Sequence, residues 1–185
     1  NNERRMLGAM RTDPSRNWAL ADLLAETGWT DQVYVAGAGK ALREGGLVDM
    51  EEKRSHLVSL GLEGTKAAVE GLLESRLWGW ISDQDDSGRS MEALLAADFD
   101  RKEAGPGVGL LKGLGVSIEA GSFVVDDEDA ISQAIDQRSS FIQSLAEGAV
   151  ECSSLDDALV EHFTSRGGLI EFEDTASRTW SLTKE

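Results

Sequence analysis

The fold is decided by residues 45–60, which read Gly45-Gly46-Leu47-Val48-Asp49-Met50-Glu51-Glu52-Lys53-Arg54-Ser55-His56-Leu57-Val58-Ser59-Leu60. The glycine pair is a helix stop, and apolar and polar residues then alternate as far as Met50. A charged tip at residues 51–55 separates this run from a second apolar run that ends at Leu60. This pattern predicts a β-hairpin attached to the end of a helix.

The end of the chain repeats the same pattern. Gly167-Gly168-Leu169-Ile170-Glu171-Phe172-Glu173 leads through residues 174–178 to Thr179-Trp180-Ser181-Leu182. The glycine pair, the leucine after it and the closing Ser-Leu coincide in the two stretches. A helix–glycine–hairpin unit that occurs twice predicts an array of small modules.

The chain is acidic, with a net charge of -16 over 185 residues, and the charge is unevenly spread. Residues 1–64 carry 8 basic and 10 acidic side chains, residues 65–126 carry 6 and 11, and residues 127–185 carry 4 and 13. An acidic surface disfavours non-specific binding to a phosphate backbone. A solubility adaptation, for example to a salty habitat, explains the same charge equally well.

The bulk composition predicts a cytoplasmic globular protein. Hydrophobic residues make up 41% of the chain and charged residues 28%. The sequence has no apolar run long enough to cross a bilayer and no secretory leader, and it lacks an initiator Met, so we expect a trimmed start. The single cysteine, Cys152, excludes an internal disulfide and fits a reducing compartment.

The first predicted module is a winged helix in residues 1–62. We expect helices at residues 3–10, at 18–25 with Asn17 as the N-cap, and a third that Thr30 or Asp31 caps and that runs to Glu44. The third helix has a core stripe of Val35, Ala38 and Leu42. The third helix would be the recognition helix and the hairpin the wing. Within this helix, Gly37 and Gly39 each cost about 1 kcal/mol against alanine. We attribute them to packing against a neighbouring helix, or alternatively to close approach of a ligand backbone.

Two further modules complete the predicted fold class, which is mainly α with small β-hairpins (α+β). Residues 63–126 form a linker helix and a second winged helix with a clipped wing at 116–125, whose turn we expect at Ala120-Gly121. Residues 127–185 form a third, degenerate module that lacks one helix, and in it we expect Ser153 or Ser154 to cap a helix at 155–165. The whole is a tandem of winged-helix, or helix-turn-helix, modules.

Catalytic and metal-binding chemistry finds no support in the sequence, and we predict no catalytic residue and no metal site. His56, His162 and Cys152 have no paired spacing for a metal or a nucleophile. The segment Gly105-Pro-Gly-Val-Gly109 lacks the preceding strand and the Lys-Ser/Thr of a phosphate-binding loop. The aspartates at 83, 85 and 86 do not continue into a calcium loop.

Basic side chains provide the candidate nucleic-acid contacts. Lys40 and Arg43 lie on the recognition helix, Lys53 and Arg54 on its wing, and Lys66 beyond it. A weaker second group consists of Arg101, Lys102 and Lys112. Such residues contact phosphates and position a nucleic acid without reading bases. The alternative is a solvated charged face. The five tryptophans are expected in the core, with base stacking as the alternative.

Three stretches resemble one protein family. Val58–Leu77 is similar to the linker after the first winged helix in the α subunit of archaeal and eukaryotic-type phenylalanyl-tRNA synthetase. The matches are Glu63-Gly64, Gly71-Leu72, Glu74 and Arg76-Leu77, whereas Leu73 replaces a proline. Residues 105–115 resemble the second recognition helix of that family at Gly105, Gly109, Leu111, Lys112 and Gly115, with Gly107 in place of an alanine. Residues 166–183 resemble the segment that closes the third winged helix.

The resemblance implies the amino-terminal extension of that subunit, which carries three winged-helix-like modules toward the elbow of the bound tRNA. The implied partners are phenylalanine-specific tRNA, the catalytic domain and the β subunit, with no membrane. The class II catalytic domain is not in this sequence, because Arg101 lacks the context of its ATP-binding arginine motif. The chain would therefore be a non-catalytic fragment or a stand-alone relative, and ATP and Mg²⁺ would belong to the parent enzyme.

Two other functions stay open from the sequence. The helix-turn-helix and basic wing of the first module also fit a winged-helix transcriptional regulator that binds duplex DNA. The charge of the recognition helix counts against DNA binding, because Asp31 and Glu44 balance Lys40 and Arg43. A winged-helix array that binds proteins is the third hypothesis, since an acidic third module suits a basic protein surface.

Overall fold

The computed structural model describes residues 1–184. Its helices are α1 (Asn2–Met10), α2 (Leu20–Thr27), α3 (Gln32–Glu44), α4 (Leu62–Glu70), α5 (Leu73–Ser82), α6 (Met91–Ala96), α7 (Arg101–Leu114), α8 (Glu128–Ala146) and α9 (Asp157–Thr164). Its strands are β1 (Trp18–Ala19), β2 (Val48–Leu60), β3 (Val116–Glu119), β4 (Ser122–Val125), β5 (Val150–Glu151) and β6 (Ile170–Leu182). The predicted class, mainly α with small antiparallel sheets, is confirmed.

The chain divides into two compact units. The first unit consists of residues 1–56 together with the segment from Asp174 to the end, and the second consists of residues 57–173. One sheet has the strand order β1-β6-β2-β5, and the other pairs β3 with β4. The elements are compatible with winged-helix modules. Their tandem arrangement in the ranges 1–62, 63–126 and 127–185 stays a prediction.

The first unit packs α1, α2 and α3 around one apolar core. The predicted stripe of α3 is confirmed, and Asp31 caps this helix by accepting a hydrogen bond from the Val33 amide at 2.9 Å. The core consists of Met6, Met10, Trp18, Leu23, Val35, Ala38, Leu42, Val48 and Trp180. Asn17 does not cap α2, because the helix begins only at Leu20. Trp18 and Ala19 instead form β1, opposite Trp180 and Thr179 of β6.

The two predicted long hairpins are single strands. β2 is continuous for 13 residues through the charged stretch that was expected to turn, and β6 is likewise continuous for 13 residues. The two strands are neighbours, with Glu52 opposite Arg178 and His56 opposite Asp174. Partner numbers fall on one strand as they rise on the other, so the pairing is antiparallel. Residues 51–55 contain no glycine, proline or asparagine to form a tight turn, and alternation alone does not distinguish a hairpin from one long strand.

The second unit contains the remaining helices and two apolar clusters. One cluster joins α5, α6, α7, the β3–β4 hairpin and the first half of α8. The other joins the second half of α8, α9 and the apolar ends of β2 and β6. The predicted turn at Ala120-Gly121 is confirmed, since both residues have positive φ angles, 51° and 83°. The glycine-rich segment 105–113 is helical within α7, as the family resemblance predicted.

Helix α4 is capped by the second Gly-Gly pair of the chain. The carbonyl oxygen of Gly168 accepts hydrogen bonds from the amides of Glu63 at 3.0 Å and Gly64 at 3.3 Å. These amides belong to the first turn, which has no partners inside the helix. A Cβ at Gly64 would overlap the carbonyl oxygen of Leu169. The paired motifs Glu63-Gly64 and Gly167-Gly168-Leu169 are therefore two halves of one backbone contact.

Replacing Gly64 with alanine is expected to lower the free energy of unfolding by about 2 kcal/mol, because the new methyl group would push the backbone at Leu169 out of contact. The measurement is urea unfolding followed by circular dichroism. The matched control is Gly37→Ala in α3, where nothing lies within 4 Å of an added Cβ. Helix propensity alone predicts that this control stabilises by roughly 0.5–1 kcal/mol. Stabilisation of both variants to the same degree would contradict the packing explanation.

Candidate nucleic-acid interface

The negative charge of the chain lies almost entirely in the second unit. Residues 1–56 and 174–185 carry 10 basic and 11 acidic side chains, a net charge of -1. Residues 57–173 carry 8 basic and 23 acidic side chains, a net charge of -15. A phosphate backbone is therefore repelled far less by the first unit than by the second.

Helix α3 presents a smooth face to the surface of the first unit. Val35, Ala38 and Leu42 are buried on one side. The exposed residues of the helix include three without a long side chain, which are Ala36, Gly37 and Ala41. Gly39 is buried, and a Cβ there would lie 2.5 Å from Nε1 of Trp180. Close packing thus explains Gly39, although the neighbour is a strand residue and not a helix, whereas no packing contact explains Gly37.

Two adjoining cavities form one groove between α3 and β6, which we call the α3–β6 groove. Their volumes are about 590 and 610 Å³, and they share Ala36, Arg178 and Trp180. Lys40 and Arg43 line the first cavity, and Val33 and Leu20 line the second. The floor is apolar, and the wall formed by α3 carries Lys40 and Arg43 together with Glu44, so it is basic on balance. An arrangement of this kind suits a ligand with a flat apolar part and an anionic part.

Three cationic side chains meet at this groove. The sequence predicted Lys40 and Arg43 but placed Arg178 at the tip of a hairpin. Lys40 lies 3.9 Å from Glu44, and Arg178 donates a hydrogen bond at 3.0 Å to Glu52, which lowers the pKa of that carboxyl. Within residues 1–184, Arg43 forms no ion pair or hydrogen bond through its side chain. No local signal could have found Arg178, because it reaches α3 only through the pairing of β6.

The other predicted cations do not line the groove. Lys53 and Arg54 stand further along β2, and Arg54 is 3.4 Å from Glu52. In the second unit, Lys66 lies 3.9 Å from Glu70 and lines a cavity of about 210 Å³ with Arg76 and Arg166. Arg101 begins α7, and Lys112 lies in its last turn. Arg101 and Lys112 are 11 positions apart, which corresponds to about 16 Å along the helix axis. They therefore do not form one cluster.

A buried ion cluster in the second unit was not predicted. Glu74 is fully buried, and its Oε1 accepts hydrogen bonds from Arg166 at 2.7 Å and Arg138 at 3.3 Å. Burial and the two arginines lower the pKa of the neighbouring His162. Arg76 forms a two-point pair with Glu103, with both distances 3.2 Å. Glu74, Arg76 and Arg166 all belong to the stretches that carry the family resemblance, and here they join separate elements.

Neither a metal-binding cluster nor a membrane-spanning helix occurs in the described part of the chain. Among residues 1–184, no three His, Cys, Asp or Glu side chains are grouped so as to bind a metal ion. None of the helices in the described part of the chain has the length and apolarity needed to cross a membrane.

Comparison with known proteins identifies relatives along most of the chain. No family model matches. The chain is 30% identical over 168 residues to the α subunit of phenylalanine–tRNA ligase from Methanothermobacter thermautotrophicus, covering 88% of this chain and 32% of that protein. It is 38% identical over 76 residues to the α subunit from Methanopyrus kandleri, covering 41% of this chain and 14% of that protein. The chain therefore spans about a third of the length of the first relative. The predicted resemblance to these subunits is confirmed.

Proposed function

Because the chain is similar over most of its length to archaeal α subunits of phenylalanine–tRNA ligase, we propose that it is the tRNA-binding, non-catalytic region of such a subunit. It engages phenylalanine-specific tRNA in the cytoplasm for aminoacylation by a class II catalytic domain outside this sequence. Its other partners are that catalytic domain and the β subunit. ATP and Mg²⁺ are used by the catalytic domain.

The observation that carries this proposal is the separation of charge between the two units. Lys40, Arg43 and Arg178 face one groove in a unit whose net charge is -1, while the other unit carries -15. Phosphate contacts dominate the affinity of proteins for nucleic acids, and they depend on local clusters of cations. A nucleic acid is therefore expected to bind the first unit at the α3–β6 groove and to be kept off the second.

The face of α3 favours RNA over duplex DNA as the ligand. A recognition helix that reads the major groove needs polar side chains such as Arg, Asn or Gln near its exposed N-terminal half. Here that half exposes Val33, Tyr34, Ala36 and Gly37 beside a single Gln32, and it has no Arg or Asn. A folded RNA offers irregular loops and unstacked bases, which require less base-edge hydrogen bonding from a helix.

The proposal is tested by titrating the chain into labelled phenylalanine tRNA and into a DNA duplex of the same length, at low and high salt. We expect tighter binding to the tRNA and a decrease with salt that corresponds to two or three phosphate contacts, each contributing about 0.7–0.9 to the logarithmic slope. Equal or tighter binding to the duplex would support the DNA-binding alternative instead. Absence of binding to both nucleic acids, with the chain folded by circular dichroism, would overturn the proposal.

A further inference from the structure

We propose that the α3–β6 groove binds one unstacked nucleobase of a single-stranded RNA loop, with the flanking phosphates held by Lys40 and Arg43. The inference rests on the proposed function and specifies what part of the RNA the first unit recognises. It is carried by two separate features of the groove, which are its apolar floor and its basic wall.

The floor of the groove is apolar. Ala36, Met50 and Trp180 line it, and the lack of a side chain at Gly39 lets the Trp180 ring pack directly against α3. A nucleobase has two apolar faces and stacks on or packs against aromatic side chains in RNA-binding proteins. Intact duplex cannot supply such a face, because its bases are stacked on each other.

The wall and the helix face account for the rest of the nucleotide. Lys40 and Arg43 stand one turn apart on the side of α3 that lines the groove, at a spacing that suits the phosphates on either side of one base. A sugar–phosphate backbone can approach the helix closely, because the exposed residues Ala36, Gly37 and Ala41 have small side chains or none. This close approach also gives a reason for Gly37, which has no packing contact.

The test compares two alanine positions on the exposed face of α3. Ala36 lines both cavities, whereas Ala41 lines neither of them, and both side chains are exposed. Leucine at position 36 fills the groove, so Ala36→Leu is expected to weaken binding of a single-stranded RNA of roughly ten nucleotides about tenfold. Ala41→Leu is the control and is expected to change this affinity less than about twofold.

A second ligand separates the base from the phosphates. An abasic strand with the same number of phosphates is expected to bind about tenfold more weakly than the RNA and to be insensitive to Ala36→Leu.

The outcomes distinguish this inference from the proposed function. If phenylalanine tRNA binds and both leucine variants bind the RNA equally well, the groove inference is overturned and the proposed function stands. Equal affinity for the RNA and the abasic strand overturns it in the same way. If neither tRNA nor RNA binds the folded chain, both the inference and the proposed function fail.

Discussion

Replacing Arg166 with leucine is expected to lower the free energy of unfolding by about 3 kcal/mol, the largest stability effect we predict for a single side chain. Arg166 donates a hydrogen bond at 2.7 Å to the carboxylate of Glu74, which is fully buried. Removing one partner of a buried ion pair leaves an uncompensated charge, which typically costs 3–5 kcal/mol. Arg138, at 3.3 Å from the same oxygen, keeps the expected loss at the lower end of that range.

Urea unfolding followed by circular dichroism measures this loss, and two further variants identify its cause. Arg101→Leu removes an exposed arginine from the same unit and is expected to change stability by less than about 0.5 kcal/mol. Adding Glu74→Gln to Arg166→Leu neutralises the buried carboxylate and is expected to recover part of the lost stability. If the double variant is less stable than Arg166→Leu alone, Arg166 stabilises the fold through packing and not through its charge.

The same cluster gives a physical meaning to the sequence resemblance. Glu74 precedes Arg76 in one motif, and Arg166 opens another motif 92 positions from Glu74. Gly64 and Gly168 are joined in a similar way by the cap of α4. Two pairs of residues from the matching stretches are therefore in contact within the second unit. These pairs stabilise the fold of this unit, while the nucleic-acid contacts that we propose lie in the other unit.

Local signals predicted the elements that depend on neighbours in sequence. The core stripe of α3, the cap at Asp31 and the β3–β4 turn at Ala120-Gly121 each result from residues within one or two turns of each other. These signals are sufficient because helix periodicity, N-caps and positive φ angles act over short distances. The predicted caps at Asn17 and at Ser153 or Ser154 were wrong, since α2 and α9 begin later at Leu20 and Asp157.

The pairing of β2 with β6 could not be predicted from the sequence, although β6 forms one side of the candidate site. Alternation in residues 45–60 correctly predicted a β structure but not its partner, which is β6. Arg178 lies 126 positions from Glu52, to which it is hydrogen-bonded, and no periodicity connects residues so far apart. Lys40 and Arg43 could be predicted as candidate contacts because they lie on one helix. The groove that they line could not be predicted, because its other wall is formed by the end of the chain.

Charge reversal at Lys40 and Arg43 is expected to weaken the binding of phenylalanine tRNA at least about tenfold at low salt. The double variant Lys40→Glu/Arg43→Glu removes two phosphate contacts and places two anions at the groove. Each lost contact should reduce the logarithmic salt slope by about 0.7–0.9, so the slope is expected to fall by about 1.5. Titration of labelled tRNA at several salt concentrations measures the affinity and the slope together.

The chain offers a control with the same change in charge. Lys102 and Lys112 are exposed on α7 in the acidic second unit, and Lys102→Glu/Lys112→Glu changes the net charge by the same four units. If the interface is the α3–β6 groove, this control should weaken binding less than about threefold, through the overall field alone, and leave the slope unchanged. If both double variants lose affinity equally, tRNA responds to the net charge of the chain, and the first unit is not its specific contact. A loss confined to Lys40→Glu/Arg43→Glu would place the phosphate contacts at the α3–β6 groove, because the same change in net charge elsewhere leaves binding nearly unchanged.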